Sequence, residues 1–187
     1  ASFRYDNWLT MKRIKLLLGV LVACAALQSC LDESGPYYDP AAQLAIDIDT
    51  IDNYVATNNL TVQVHNESEI RYIIHEEGNG KTVELGDTVY VNYELTLLNG
   101  TFIDTNVEQI AKDNGIYNAN RTYERFGFIT GKGMVIIGFD ASTQLLTEGG
   151  SGTFLIPSIY AYRNIPTDRI PANSNLKFKI ELLEVKK

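Results

Sequence analysis

The chain has 187 residues, 45% of them hydrophobic and 21% charged, a balance that supports one ordinary domain with an extension and excludes wholesale disorder. Its net charge is −7, and residues 31–187 alone hold 12 Lys+Arg against 22 Asp+Glu. Nucleic acid is thereby excluded as a partner, because a phosphate backbone demands a basic footprint.

In chain order the first predicted element is a leader, residues 1–30. Met11 is the expected start; Lys12, Arg13 and Lys15 precede an apolar run over 16–27, the n-region and h-region of a signal peptide. That run is shorter than the roughly 18 apolar residues of a membrane-spanning helix. It closes on "LQSC", which resembles the lipobox of bacterial lipoproteins. The resemblance implies that Cys30 is lipidated and anchors the protein to a membrane of the bacterial cell envelope, an anchorage that takes more than one acyl chain. The alternative is a signal peptide cut elsewhere, with Cys30 an ordinary thiol. Cys24 and Cys30 are the only cysteines, so a processed chain carries neither a disulfide nor a thiolate for metal binding or nucleophilic catalysis.

Residues 31–40, acidic and turn-rich, read as a tether. Residues 41–82 read as an extension of one helix and short strands. Leu44, Ile48, Ile51 and Val55 recur at helical spacing. Asp47, Asp49 and Asp52 on the same segment lack the glycine and closing glutamate of a calcium loop and read as a solvated face. "LTVQV" and "IRYIIHEEG" are short strands, and "TVYVNYELTL" is the clearest strand of the chain, with Val89, Val91, Tyr93, Leu95 and Leu97 on one face. Asn99-Gly100 closes a hairpin.

Residues 105–125 lack periodicity and are expected to form an excursion on a sheet edge. "RFGFIT" is a strand, and "FDASTQLLTEGG" a helix stopped by Gly149-Gly150. Ile136, Phe139 and Leu146 face the sheet. "SGTFLIP" is a strand, followed by a proline-punctuated loop with Tyr160 and Tyr162. "LKFKIELLEV" closes the chain, with Leu176, Phe178, Ile180 and Leu182 inward and Lys177, Lys179 and Glu181 outward. The fold class is α+β, a curved antiparallel sheet wrapped around a short helix, with an N-terminal helical extension.

Catalytic constellations are sparse. Gly131-Lys132-Gly133 meets neither the phosphate-loop pattern nor the dinucleotide fingerprint. His65 and His75 have no metal-ligand spacing and read as surface or strand-edge residues. No G-x-S-x-G marks a serine hydrolase. What accumulates instead is aromatic and aliphatic: Tyr93, Phe126, Phe128, Val135, Ile136, Phe139, Tyr160, Tyr162 and Phe178.

Residues 83–185 resemble the FKBP-type peptidyl-prolyl isomerases. "VELGDTVYVNYELTLLNGTFIDT", "FGFITGKGMVIIGFDASTQLLTEGG", "GTFLIPSIYAY" and "RIPANSNLKFKIELLEV" follow that family's motifs in order. The resemblance implies an FKBP-like domain over 83–187 that acts on proline-containing polypeptides, with no cofactor and no metal. It assigns Tyr93, Asp104, Tyr162 and Phe178 to catalysis, and Ile103, Phe126, Val135, Ile136, Phe139 and Ile170 to substrate binding. Tyr162 would donate to a substrate carbonyl, the Ile136 N–H would contact a second, and Asp104 would bond Tyr93 or the ligand. The chain departs from the family at Phe139, where relatives carry tryptophan, and at Ile103, Leu95, Arg163 and Ala172. A folding factor for exported proteins is one implied role. A catalytically weak binding module or chaperone, with an envelope protein as its partner, is the alternative.

Overall fold

The computed structural model describes residues 38–187. The leader, Cys30 and most of the tether lie outside the described residues. Among those described, helix α1 (Pro40–Thr57) precedes β1 (Gln63–His65), β2 (Ile70–Glu76), β3 (Thr88–Leu97) and β4 (Phe102–Thr105). Then come α2 (Glu108–Asp113), β5 (Phe126–Ile129), α3 (Ile137–Gln144), β6 (Ser151–Ile156), a 3-10 turn at Ser158–Tyr160, and β7 (Leu176–Lys186).

The seven strands form one antiparallel sheet in the order β1-β2-β6-β7-β3-β4, with β5 also paired to β3. Alternation builds its core. Val89, Val91 and Leu95 of β3 and Leu176, Phe178, Ile180 and Leu182 of β7 are buried on one face, each burial of such a side chain being worth about 1.5–3 kcal/mol. A bulge at Tyr90/Val91 pairs Tyr90 with Glu184 but Val91 with Leu182, so β7 carries one extra residue, Leu183. The parity change brings Val185 as well as Leu182 to the core and adds local twist. The Asn99-Gly100 hairpin forms as expected, Gly100 sitting at φ +89° where a Cβ would be strained.

Helix α3 lies against the concave face. It starts at Ile137, before the expected Phe139, and ends at Gln144. A Cβ on Gly138 would lie 2.2 Å from Ile156 Cγ2, so glycine is what lets the helix approach β6. The Gly131-Lys132-Gly133 loop owes its glycines to φ values of +70° and +66°. Its Gly131 amide donates to Asp140 Oδ2 at 2.7 Å, taken up by the chain's own helix.

The solvated-face expectation for α1 holds at Asp49 and Asp52, both exposed, and is corrected at Asp47, which is 1% exposed. Exposed Asp52 nonetheless has a partner, accepting two bonds from the almost buried Arg71 guanidinium, at 2.8 and 3.1 Å. Arg71, Leu155 and Lys177 occupy consecutive register positions on the face opposite the core. There α1 is tied by Asp52 and by Tyr54, whose hydroxyl accepts from Lys177 at 3.3 Å. Helix spacing predicts amphipathicity; it does not reveal that a polar residue within the buried stripe has a partner from another element.

The 105–125 segment is also more ordered than its sequence suggests. It contains α2, and Asn106, 6% exposed, stitches it to the sheet. Strand β5 pairs with β3 at 88–91 and β4 pairs with it at 94–96. In the gap, Asn106 Oδ1 accepts from the Tyr93 amide at 2.8 Å, while its Nδ2 donates to the Val91 and Glu124 carbonyls at 3.0 Å each. One side chain thus replaces the missing backbone ladder. His65 bonds Ser68 three residues on, and His75 of β2 bonds Thr153 of the neighbouring β6, each at 2.7 Å.

Candidate functional site

The concave face of the sheet, the start of α3 and the loop after β6 enclose a cavity of about 320 Å³. Strand periodicity directs Tyr93 and Leu95 into it from β3 and Phe178 from β7; Phe126 enters from β5, and Phe139 closes the floor from α3. Phe139 is 3% exposed, its ring 4.9 Å from Phe178, 5.6 Å from Phe128 and 5.8 Å from Tyr93, with edge-to-face or tilted geometry throughout. Such pairs add about 0.5–1.5 kcal/mol beyond area burial, which makes a rigid apolar well.

Polar groups of five residues stand at or beside the wall. Tyr93 donates its hydroxyl to Asp104 Oδ2 at 2.6 Å. Arg121, from the 105–125 segment, pairs with the other carboxylate oxygen and donates to the Tyr93 hydroxyl at 3.3 Å. Burial first, then the hydrogen bond and charge of Asp104, push the Tyr93 phenol up to about 12, against the opposing pull of Arg121. The phenol therefore stays protonated and commits its proton to Asp104, orienting the ring. Ile136 sits at the N-cap of α3 with extended geometry, and its amide takes no partner among the described residues. Tyr162, 37% exposed, stands at the mouth.

Of the residues expected from the sequence, the structure brings together Tyr93, Asp104, Phe126, Val135, Ile136, Phe139, Tyr162 and Phe178 around this one cavity. Ile103 and Ile170 do not line it; at 5% and 4% exposed they belong to the core behind. Leu95 and Met134 line it without having been singled out, Leu95 by the alternation of β3 and Met134 by no local signal. Arg121 was also missed, since a lone arginine in an aperiodic segment has no pattern to betray its partner seventeen residues away.

A larger hollow of about 770 Å³ lies against the outer sheet face. Its floor groups pair with one another, Lys179 with Glu94 and Asn92 with Glu181. The aromatic cavity instead combines an apolar well with donors facing it, the arrangement of a small-ligand site.

The family model described as FKBP-type peptidyl-prolyl cis-trans isomerase matches residues 79–183. The FK506-binding protein 4 of Gibberella zeae is 39% identical over 109 residues, 58% of this chain and 19% of that protein. The probable FKBP-type peptidyl-prolyl cis-trans isomerase FkpA of Neisseria meningitidis serogroup B is 36% identical over 120 residues, 63% of this chain and 38% of that one. This chain thus spans well under half the length of either relative. The crystal structure of FkpA from Escherichia coli shares the fold, with TM-score 0.59 and 22% identity over 98% of this chain and 74% of that one.

Proposed function

The chain belongs to the FKBP-type peptidyl-prolyl cis-trans isomerase family, and on that premise we propose that it catalyses cis-trans isomerisation of X-Pro bonds in polypeptides. The observation that carries this reading is the aromatic cavity of about 320 Å³, with Tyr162 and the Ile136 amide, unpartnered among the described residues, at its edge. Isomerisation needs no nucleophile and no proton shuttle. Its barrier, about 18–20 kcal/mol, is the loss of amide resonance, and the free reaction takes roughly tens to hundreds of seconds. A dry well that accepts the proline ring and favours the twisted, less conjugated imide lowers that barrier.

In this reading Phe126, Val135, Phe139 and Phe178 hold the ring. Tyr162 and the Ile136 N–H donate to substrate carbonyls on either side of it. Tyr93 and Asp104, locked together and to Arg121, keep the wall in place, with Ile103 and Ile170 supporting it from the core. The domain spans 83–187, with 41–82 as its extension. The basic n-region, apolar run and "LQSC" support export, lipidation at Cys30, a tether over 31–40 and a site of action in the bacterial cell envelope on exported proteins.

Refolding of a proline-limited substrate tests the reading. Micromolar protein is expected to accelerate it, and Tyr162→Phe to weaken the effect. No acceleration overturns the proposal and leaves a binding module in its place.

A further inference from the structure

Besides its contacts to Arg71 and Lys177, helix α1 makes a buried polar contact at the root of the loop that carries Tyr162. Asp47 is 1% exposed and Ser158 is fully buried. Asp47 Oδ2 accepts from Ser158 Oγ at 2.7 Å and from the Ile159 amide at 3.4 Å, and Oδ1 accepts from Gln43 Nε2 at 2.9 Å. Asn175 closes the cluster, donating to the Asp47 carbonyl at 3.3 Å and accepting from the Ser158 amide at 3.0 Å.

From Ser158 the chain runs directly to the site. The Ser158 carbonyl accepts from the amides of Ala161 and Arg163, at 3.0 and 2.9 Å, so the two neighbours of Tyr162 both hang from it. Arg163 then turns at φ +57° and its carbonyl accepts from Asn173 at 2.7 Å. The backbone on either side of Tyr162 therefore hangs from a short path of hydrogen bonds that begins on α1.

Mere attachment of a helix would be served by apolar contact. A carboxylate buried without a cation partner among the described residues is costly, and only directed hydrogen bonds offset that cost. What such bonds add over apolar packing is a defined direction for the groups they hold.

We propose that Asp47 is a positioning residue: through Ser158 it fixes the loop that presents Tyr162, so that the N-terminal helix is a working part of the isomerase site. This inference rests on the isomerase reading above.

The test uses the full chain and steady-state isomerisation of a proline peptide, with urea unfolding in parallel. Asp47→Leu, similar in size but without an acceptor, is expected to lower kcat/KM roughly tenfold, mostly in kcat. Asp47→Asn, which keeps an oxygen for Ser158, stays within about threefold of wild type, and Ser158→Ala reproduces the loss should Asp47→Leu fail to fold. Ile51→Ala, a cavity on the same helix face, lowers the urea midpoint and leaves kcat/KM unchanged. In a Tyr162→Phe background the Asp47→Leu loss disappears, because both act through one hydroxyl. The proposal is overturned by undiminished kcat/KM in Asp47→Leu or Ser158→Ala, by an equal loss in Ile51→Ala, or by a loss that persists in the Tyr162→Phe background. An inactive wild type overturns the isomerase reading itself, whereas an active wild type beside an unimpaired Asp47→Leu overturns only the positioning role.

Discussion

Asn106→Ala removes the side chain that bridges the gap between β4 and β5. It strips the Tyr93 amide of its acceptor and the Val91 and Glu124 carbonyls of a donor. A buried polar group left unsatisfied costs about 1–3 kcal/mol, and Glu124 is exposed enough for water to replace its donor. The loss over the two remaining groups should therefore be about 2–6 kcal/mol, a large share of the ~5–15 kcal/mol typical of a domain. With a urea m-value of about 2 kcal/mol/M, the unfolding midpoint falls by on the order of 1–3 M.

Asn106→Asp separates this account from a simple loss of volume. The new oxygen would face the Val91 and Glu124 carbonyls where Nδ2 now donates at 3.0 Å, so acceptor opposes acceptor. At pH 7 this variant should be less stable than Asn106→Ala. The introduced carboxyl has a folded-state pKa above its unfolded value, so stability is recovered as pH falls through the folded pKa and lost again as pH rises. Urea titrations at pH 7 and near pH 4 measure both effects. An Asn106→Ala variant within ~0.5 kcal/mol of wild type, or an Asn106→Asp variant at least as stable as Asn106→Ala at pH 7, refutes the reasoning.

Tyr93 supplies a pH signature: below pH 10 its phenol is protonated in both states, and between pH 10 and about 12 only the unfolded chain loses the proton. Its contribution to stability is therefore lost across that window as pH rises, and in Tyr93→Phe that part of the alkaline decline should vanish; an unchanged decline counts against the buried Tyr93–Asp104 bond. Phe139→Trp should extend the floor into the cavity, costing less than the ~1–3 kcal/mol of an overpacked core and raising kcat/KM severalfold in proline-limited refolding; reduced activity would show that the floor is already filled. Asp52→Ala leaves the Arg71 guanidinium, 8% exposed, with only its Glu69 partners, and should cost about 1–2 kcal/mol by urea unfolding. No change would mean that α1 is held by its other contacts alone.

Much of the fold and most of the cavity were legible because they rest on short-range pattern. The alternation of β3 and β7 placed Tyr93 and Phe178 on the core face, and the order of motifs from "GDTVYVNYE" to "LKFKIELLEV" named eight of the residues that meet around the cavity. Ile103 and Ile170 come from the same motif matching; both are buried in the core and neither is among the residues lining the cavity. Gly138 was visible as a glycine, but its cause, a 2.2 Å approach to Ile156, exists only once α3 packs on β6.

The sheet faces, the hairpin and the apolar composition of the site can thus be read along the chain, because burial periodicity is written within a few neighbouring residues. Which polar side chains find a partner, and whom they hold, emerges only on folding: Arg121 on Asp104, Asn106 across the break in the ladder, Asp47 on Ser158 a hundred and eleven residues away. The reason is that a polar residue's alternative to water is a partner from anywhere in the fold. Its own neighbours in the chain therefore carry no trace of whether that partner exists.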